Sequence, residues 1–289
     1  MKISTLTGFF WMLLALSAPA QTALPPGLLL DDTAYARVPY PEILTKEPLP
    51  GRASLEAYCP PVQAQGAYGT CVGFACGYYL RTIWEARNRG VTSPTALSRL
   101  TFSPSYVYEK AKSTRDYACT EGAYLHRVFA VLRDVGAAPF HRFPYPACGQ
   151  STASADADAA RYRIRAYERL FRVDDAPAQK IYGLRKALAK GSPVVVGLVV
   201  PASFQTTGKR WQPAPGEHPR DPHLRGHALC VIGYDDRRYG GAFRVVNSFG
   251  KSWGDGGFCW IRYADLARFT RYGYRISAAD SAPVGTAHR

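Results

Sequence analysis

Apolar residues follow two rhythms along this chain. From about residue 55 to 165 they recur at helical spacing. Gly69-Thr70 precedes an almost unbroken apolar run, Cys71 to Leu80, which continues through Ile83 and Trp84 to Gly90. A helix that is apolar all round must be buried, and Gly90 suits its stop. Ser103-Pro104 sets a cap and a first-turn proline that open a second helix near Lys112. Tyr124, Leu125, Val128, Phe129, Leu132 and Val135 share one face of a third, closed by Gly136. The Ala/Asp/Ser-rich stretch 151–160 reads as a surface loop. Beyond it, Ile181, Leu184 and Leu188 mark an amphipathic helix. Strand-like runs follow at 194–200, 228–234, 243–246 and 258–263, punctuated by Gly, Pro and Asp. Helices first and strands second predict an α+β chain with two lobes and a cleft where they meet.

The two ends carry other signals. Lys2, the short apolar run Phe9–Leu16 and the small residues Ala18 and Ala20 compose a secretory signal, 1–20, cut after Ala20. The apolar run is too short for a membrane span, so no stable membrane insertion is expected once it is cut. Residues 21–50 are Pro-rich and predict an extended arm or short propeptide lying along or beside the cleft, with Leu28-Leu29-Leu30 as its apolar anchor. The helical lobe is assigned 51–165, the β-rich lobe 166–278 and a flexible tail 279–289. Export makes the seven cysteines candidates for disulfides, and an odd number leaves at least one thiol unpaired in a monomer. None has zinc-site spacing. The net charge of +14 permits anionic partners. The arginines are scattered and no recognition motif appears, so nucleic acid is not among the expected partners.

The candidate chemistry sits where each regime begins. In Gln65-Gly66-Ala67-Tyr68-Gly69-Thr70-Cys71, a cysteine opens a buried helix, in the positive end of its field. That position favours thiolate. Gln65 can place a side-chain N–H beside the Cys71 backbone N–H, and two such donors make an oxyanion hole. Taken alone, an exported cysteine is more often structural. Far down the chain, Gly226-His227-Ala228 opens one strand and Asn247-Ser248-Phe249-Gly250 ends another. A turn at Gly240-Gly241 brings His227 and Asn247 side by side. The asparagine can then accept from one imidazole nitrogen and leave the other to Cys71. Phe249 can shield that bond from water. A bare His or Asn is usually structural, but the joint pattern is far rarer.

At these residues the sequence resembles the papain-like cysteine peptidases, from about Leu55 to Tyr263. The Tyr58-Cys59-Pro60-Pro61-Val62 stretch is similar to the bacterial branch. The resemblance implies a two-lobed papain-like fold, with a helical left lobe and an antiparallel, β-barrel-like right lobe. It implies Cys71 as nucleophile, His227 as base, Asn247 as its orienter and Gln65 as oxyanion donor. The expected reaction is peptide hydrolysis through a thioester, with no metal or cofactor. Cys119-Thr120-Glu121-Gly122 resembles the family's Cys-x-Gly-Gly segment, where Gly122 would pair with an extended peptide and Glu121 would edge the cleft. Gly69, Gly197, Gly226, Ala228, Phe249 and Trp253 are further substrate-side candidates, with Arg225 at the rim of the pocket for the residue two before the scissile bond.

The chain also departs from that pattern. Val72 and Phe249 replace tryptophans, and Thr70 stands where serine is common. Tyr68 occupies the place of a cysteine that usually pairs with the one at Cys119, so that disulfide is not expected; Cys148 is one candidate substitute among the remaining cysteines. His227 follows Cys71 by slightly more than the usual separation of about 130–150 residues; the Pro-rich segment 201–224 accounts for the excess. Glu217, His218, Asp221 and His223 in that segment read as a polar loop rather than a metal site. The expected protein is an exported, monomeric bacterial endopeptidase, periplasmic or secreted. Two rivals are a papain-like binding module without turnover and a cell-wall peptide amidase.

Overall fold

A computed structural model describes residues 27–41 and 45–277; the signal segment 1–20 and the tail 279–289 lie outside the described residues. The arm opens with strand β1 (Leu28–Leu29) and helix α1 (Asp32–Ala36), and β2 (Arg52–Ser54) follows. The all-apolar run becomes one continuous helical rod. It starts as α2 (Cys71–Gly73), passes through a π-helical stretch Phe74–Arg81 and returns to α as α3 (Thr82–Asn88). Every residue of the π-helical stretch is buried, as its lack of a polar face requires. Helices α4 (Pro94–Leu100) and α5 (Pro104–Ala111) pack beside it. The Ser103 hydroxyl accepts from Tyr106 N at 3.0 Å, a side-chain cap on α5. After β3 (Ala123–Tyr124), α6 (Leu125–Asp134) completes the helical wall, and Gly136 turns the chain away at φ +101°. The stretch 151–160 departs from the loop expected there. It holds α7 (Ala153–Ala159), capped by the Thr152 hydroxyl and seated through buried Ala155 and Ala159. Alanine and aspartate hid a short helix whose apolar face is only methyl groups.

The second lobe is a sheet. Its strands are β4 (Tyr167–Arg169), β5 (Val194–Val200), β6 (Arg210–Trp211), β7 (Arg225–Asp235), β8 (Ala242–Val246), β9 (Phe258–Arg262) and β10 (Thr270–Ile276). They lie in the order β4-β10-β5-β7-β8-β9-β6, antiparallel except where β6 meets β9. This corrects the β-barrel-like expectation, because the sheet does not close on itself. Helices α8 (Pro177–Ala189), α9 (Ala202–Gln205) and α10 (Tyr263–Phe269) lie among these strands. Among the described residues no helix is long and apolar enough to cross a membrane.

The arm is not merely extended. β1 is shared between the lobes, parallel to β3 on one side and bridged to Gly226 of β7 on the other. Only the first leucine of the triplet anchors it: Leu28 is 3% exposed, whereas Leu29 and Leu30 are 37% and 38% exposed. α1 then docks on the β lobe. Tyr35 is fully buried against Tyr272 and Tyr274, and its hydroxyl donates to Phe171 O at 2.7 Å. Cys119 and Cys148 form a disulfide; Cys59, Cys71, Cys76, Cys230 and Cys259 are free thiols. Glu109 stands beside the disulfide, but its two sulfurs are spent on each other.

Candidate active site

The helical rod begins at Cys71, so the sulfur sits at the N-terminal end of a buried helix and is itself fully buried. Backbone N–H groups of Ala228, Val72, Gly27 and Cys71 itself lie toward it and favour its ionised form. Burial outweighs them and pushes the thiol up to about 12. The N–H of Ala228 puts the sulfur at the end of β7 that begins with His227. The sulfur therefore lies against the strand that carries His227, at the junction of the lobes.

The imidazole is held by side chains. His227 Nε2 lies 2.7 Å from Asn247 Oδ1. The same oxygen accepts from Ser248 N at 2.8 Å, so Asn247 presents an acceptor and Nε2 carries the hydrogen. Nδ1 is then left with a lone pair. Phe249 covers the ring at 4.6 Å between centroids, and Phe204 stands 5.9 Å away. Burial pulls His227 down to about 4, with the Asn247 bond opposing. The closed site thus holds a neutral thiol and a neutral imidazole.

Gln65 crosses from the helical lobe into this network. Its backbone N–H donates to Ser248 O at 2.7 Å, its Oε1 accepts from the Ser248 hydroxyl at 2.5 Å, and its Nε2 donates to Tyr68 O at 2.8 Å. One amide hydrogen remains for a ligand. The Tyr145 hydroxyl bonds Gln65 O at 2.5 Å and Thr70 Oγ1 at 2.9 Å. From the rod, the Tyr79 hydroxyl donates to Asn247 O at 3.0 Å. Ser248, Tyr79, Tyr145 and Phe204 are the supports that sequence reading missed. Ser248 was visible in the motif without a role. Phe204 sat in the Pro-rich segment, and Tyr145 in a stretch without periodicity.

The substrate-side candidates divide. Gly69, Gly122, Gly197 and Gly226 all face the arm. A Cβ on Gly27 would stand 2.5 Å from the Cys71 sulfur and 2.7 Å from Gly69 O, so only glycine lets the chain pass over that sulfur. A Cβ on Gly197 would meet Leu28, Leu125 and Tyr272 at 2.8–3.0 Å; its absence makes the pocket that Leu28 fills. Gly122 N donates to the Tyr108 hydroxyl at 2.9 Å, and the neighbouring Ala123 N instead pairs with Gly27 O at 3.1 Å. Glu121 is exposed. Ala228 is buried beside His227. Trp253 is buried too; its indole N–H donates to Phe204 O at 2.8 Å and its ring backs Phe249. Glu217, His218, Asp221 and His223 serve their own loop: the Glu217 carboxylate accepts from Ser203 and Ala214, His218 Nδ1 from Arg220 N, and Asp221 from His223 N.

The model of the papain family of cysteine proteases matches residues 52–273, most of the chain. The chain belongs to that family. Among curated relatives, mouse cathepsin K is 26% identical over 217 residues, spanning 74% of this chain and 57% of that one. An uncharacterised peptidase C1-like protein of Acanthamoeba polyphaga mimivirus is 25% identical, spanning 70% and 64%. The match thus spans about three fifths of the length of these relatives. Among solved structures, xylellain, a cysteine protease from Xylella fastidiosa, superposes with a TM-score of 0.64 at 23% identity, covering 88% of this chain and 91% of that one. That likeness shows the fold.

Proposed function

We propose that this chain is an exported cysteine endopeptidase whose mechanism runs through Cys71, His227, Asn247 and Gln65. The observation that carries the reading is the His227–Asn247 bond of 2.7 Å at the foot of β7, beside a sulfur at a helix N-terminus. Once the cleft is open to water, the cost of charge at both groups falls. The proton can then move from Sγ to Nδ1, leaving a thiolate beside an imidazolium. The thiolate attacks the substrate carbonyl, and the oxyanion takes the free Nε2 hydrogen of Gln65 and the Cys71 backbone N–H. The imidazolium protonates the leaving amine, the thioester forms, and water activated by His227 releases the acid. Asn247 keeps the ring aimed throughout.

The arm closes this site in the form described. Gly27 passes over the sulfur and Leu28 fills the pocket framed by Gly197, Leu125 and Tyr272. A branched apolar side chain two residues before the scissile bond is accordingly the preferred substrate feature. Among the described residues, Gly27–Leu30 is the segment that obstructs the cleft; α1 belongs to the β lobe through Tyr35. Removing residues 21–45 would therefore take core residues along with the obstruction. A cut after the exposed Leu30 is the cleaner way to open the enzyme. Export to the periplasm or the medium, as a monomer acting on extended peptides, completes the reading, and the disulfide supports it. The test is peptide hydrolysis by protein nicked after Leu30, wild type against Cys71→Ala. Hydrolysis by the wild type alone is expected; equal rates refute the assignment. Parallel muropeptide and casein assays separate an amidase from an endopeptidase.

A further inference from the structure

A cavity of about 570 Å³ lies on the β lobe outside the catalytic cleft, and it is strongly basic. Lys180, Arg220, Arg268 and Arg271 line it, against a single carboxylate, Asp175. Lys180 forms its floor and is only 7% exposed. Its ammonium donates to Thr270 O at 3.0 Å and has no ion pair among the described residues. Beside it the buried Thr270 Oγ1 has no hydrogen-bond partner. A buried cation that Asp175 and Asp174 reach only at a distance, with no direct ion pair, is costly, and an orphaned hydroxyl in the same hollow adds to the cost. Both costs fall when an anion with acceptor oxygens enters. Arg220 and Arg268 stand exposed at the lip, and Arg268 is held there by the backbone oxygen of Glu217, at 3.2 Å, and by the ring of Phe269.

Its position relates the cavity to the cleft. Val199, which also lines it, pairs with Gly226, the residue that bridges to Leu28. Arg271, at the opposite edge, grips the Asp32 carboxylate through Nε and Nη2, and the Tyr272 hydroxyl joins them. The arm thus already demonstrates that a carboxylate is held at this border, four residues beyond the one in the Gly197 pocket. Moving from the sulfur past that pocket, the chain reaches the basic cavity on the side where the N-terminal part of a substrate would lie.

We propose that this cavity is an exosite for acidic side chains of a peptide, with Lys180, Arg220 and Arg268 receiving the carboxylates. Its use in selecting substrates rests on the peptidase reading; its capacity to bind does not. Carboxylates fit better than a bare inorganic anion, because the cations are spread from floor to lip and need groups spaced along a chain.

The test is fluorescence anisotropy on the full-length Cys71→Ala protein with labelled octapeptides, one of glutamates and one of glutamines, at low salt. The glutamate peptide is expected to bind about tenfold tighter or more, with the difference shrinking as salt rises. Arg220→Gln with Arg268→Gln is expected to weaken it about fivefold, and Lys180→Met similarly if the thermal unfolding midpoint is kept. The control removes equal charge elsewhere, through Arg99→Gln with Arg115→Gln on the helical lobe, and is expected to cost less than about twofold. Equal loss in the control pair, or no discrimination between the peptides, overturns the proposal. Tighter binding of a charge-matched oligonucleotide overturns it in favour of nucleic acid. Because no turnover is read, failure here leaves the peptidase reading to its own test.

Discussion

The two walls of the cleft hold their chemistry by different means. The helical wall presents Cys71 through packing alone: the rod behind it is buried at every residue through Trp84, and only backbone N–H groups address the sulfur. The β wall presents His227 through a chain of side-chain bonds, from the imidazole to Asn247 and on through Ser248 to Gln65, roofed by Phe249, Trp253 and Phe204. A wall built on packing tolerates loss of its reactive atom. A wall built on a polar network transmits every deletion, because each lost partner leaves another group misdirected or unpaired. The arm is the seam between them, since β1 pairs with both.

The largest effect should come from the packed wall. Cys71→Ala is expected to lower peptide turnover by about 10⁴-fold or more while shifting stability by less than about 1 kcal/mol. Steady-state kinetics of protein nicked after Leu30, with a denaturant titration, checks both; a large loss of stability would break the contrast. On the networked wall, Asn247→Ala is expected to cost about 10²-fold in turnover, because the ring loses its orientation. Unlike Cys71→Ala, it should also destabilise measurably, by about 1–3 kcal/mol, since it empties a buried hydrogen-bond site.

Acid should open the seam. In the closed form His227 sits near 4, well below its ordinary 6.5, because the covered cleft desolvates it. In the Cys71→Ala protein, whose open form has no thiol proton to pass to the ring, opening restores solvent and the imidazole binds protons more readily, so falling pH from 6.5 toward 4 favours opening and the effect vanishes above 6.5. Asp32 acts in the same direction: the Arg271 bond holds its carboxyl below the ordinary value in the docked arm. That contribution to docking is present at neutral pH and is lost in acid. In that variant the readout is hydrogen exchange of the Ala123 amide, which donates to Gly27 O. Its protection, corrected for intrinsic rate, should fall by about 50-fold from pH 7 to 4.5. Constant protection would remove His227 from the closure.

Two smaller effects sharpen the picture. Leu28→Ala empties the Gly197 pocket at a cost of about 2 kcal/mol or more, so labelling of Cys71 by a thiol-directed epoxide at pH 7 should speed up about 30-fold. Ser248→Ala frees Gln65 Oε1, so the amide can turn its oxygen toward the hole. Turnover should fall about 5- to 10-fold with KM unchanged, because the lost interaction acts on the oxyanion.

Much of this was legible from the chain, and for physical reasons. A rod buried all round has no polar face to confuse its reading, and Gly-His-Ala and Asn-Ser-Phe-Gly announce paired strand ends. The hairpin of β7 and β8 does bring His227 to Asn247. What stayed hidden depended on distant partners. Nothing local in the arm tells that Asp32 will meet Arg271 or that Tyr35 will enter the β-lobe core. Nothing in 151–160 announces a helix, because alanine methyls give almost no periodic contrast. Trp253 looked substrate-facing by motif and lies buried behind Phe249, since its indole N–H finds Phe204. The open sheet, too, depends on how β4 and β6 end its edges, which short strands do not reveal in sequence.

The most direct test of the central claim is to titrate protein nicked after Leu30 with a thiol-directed epoxide while following hydrolysis of a peptide carrying leucine two residues before the cleaved bond. Activity is expected to fall in proportion to label and to vanish at one label per chain, mapped to Cys71. Hydrolysis that persists after complete labelling of Cys71 would contradict it.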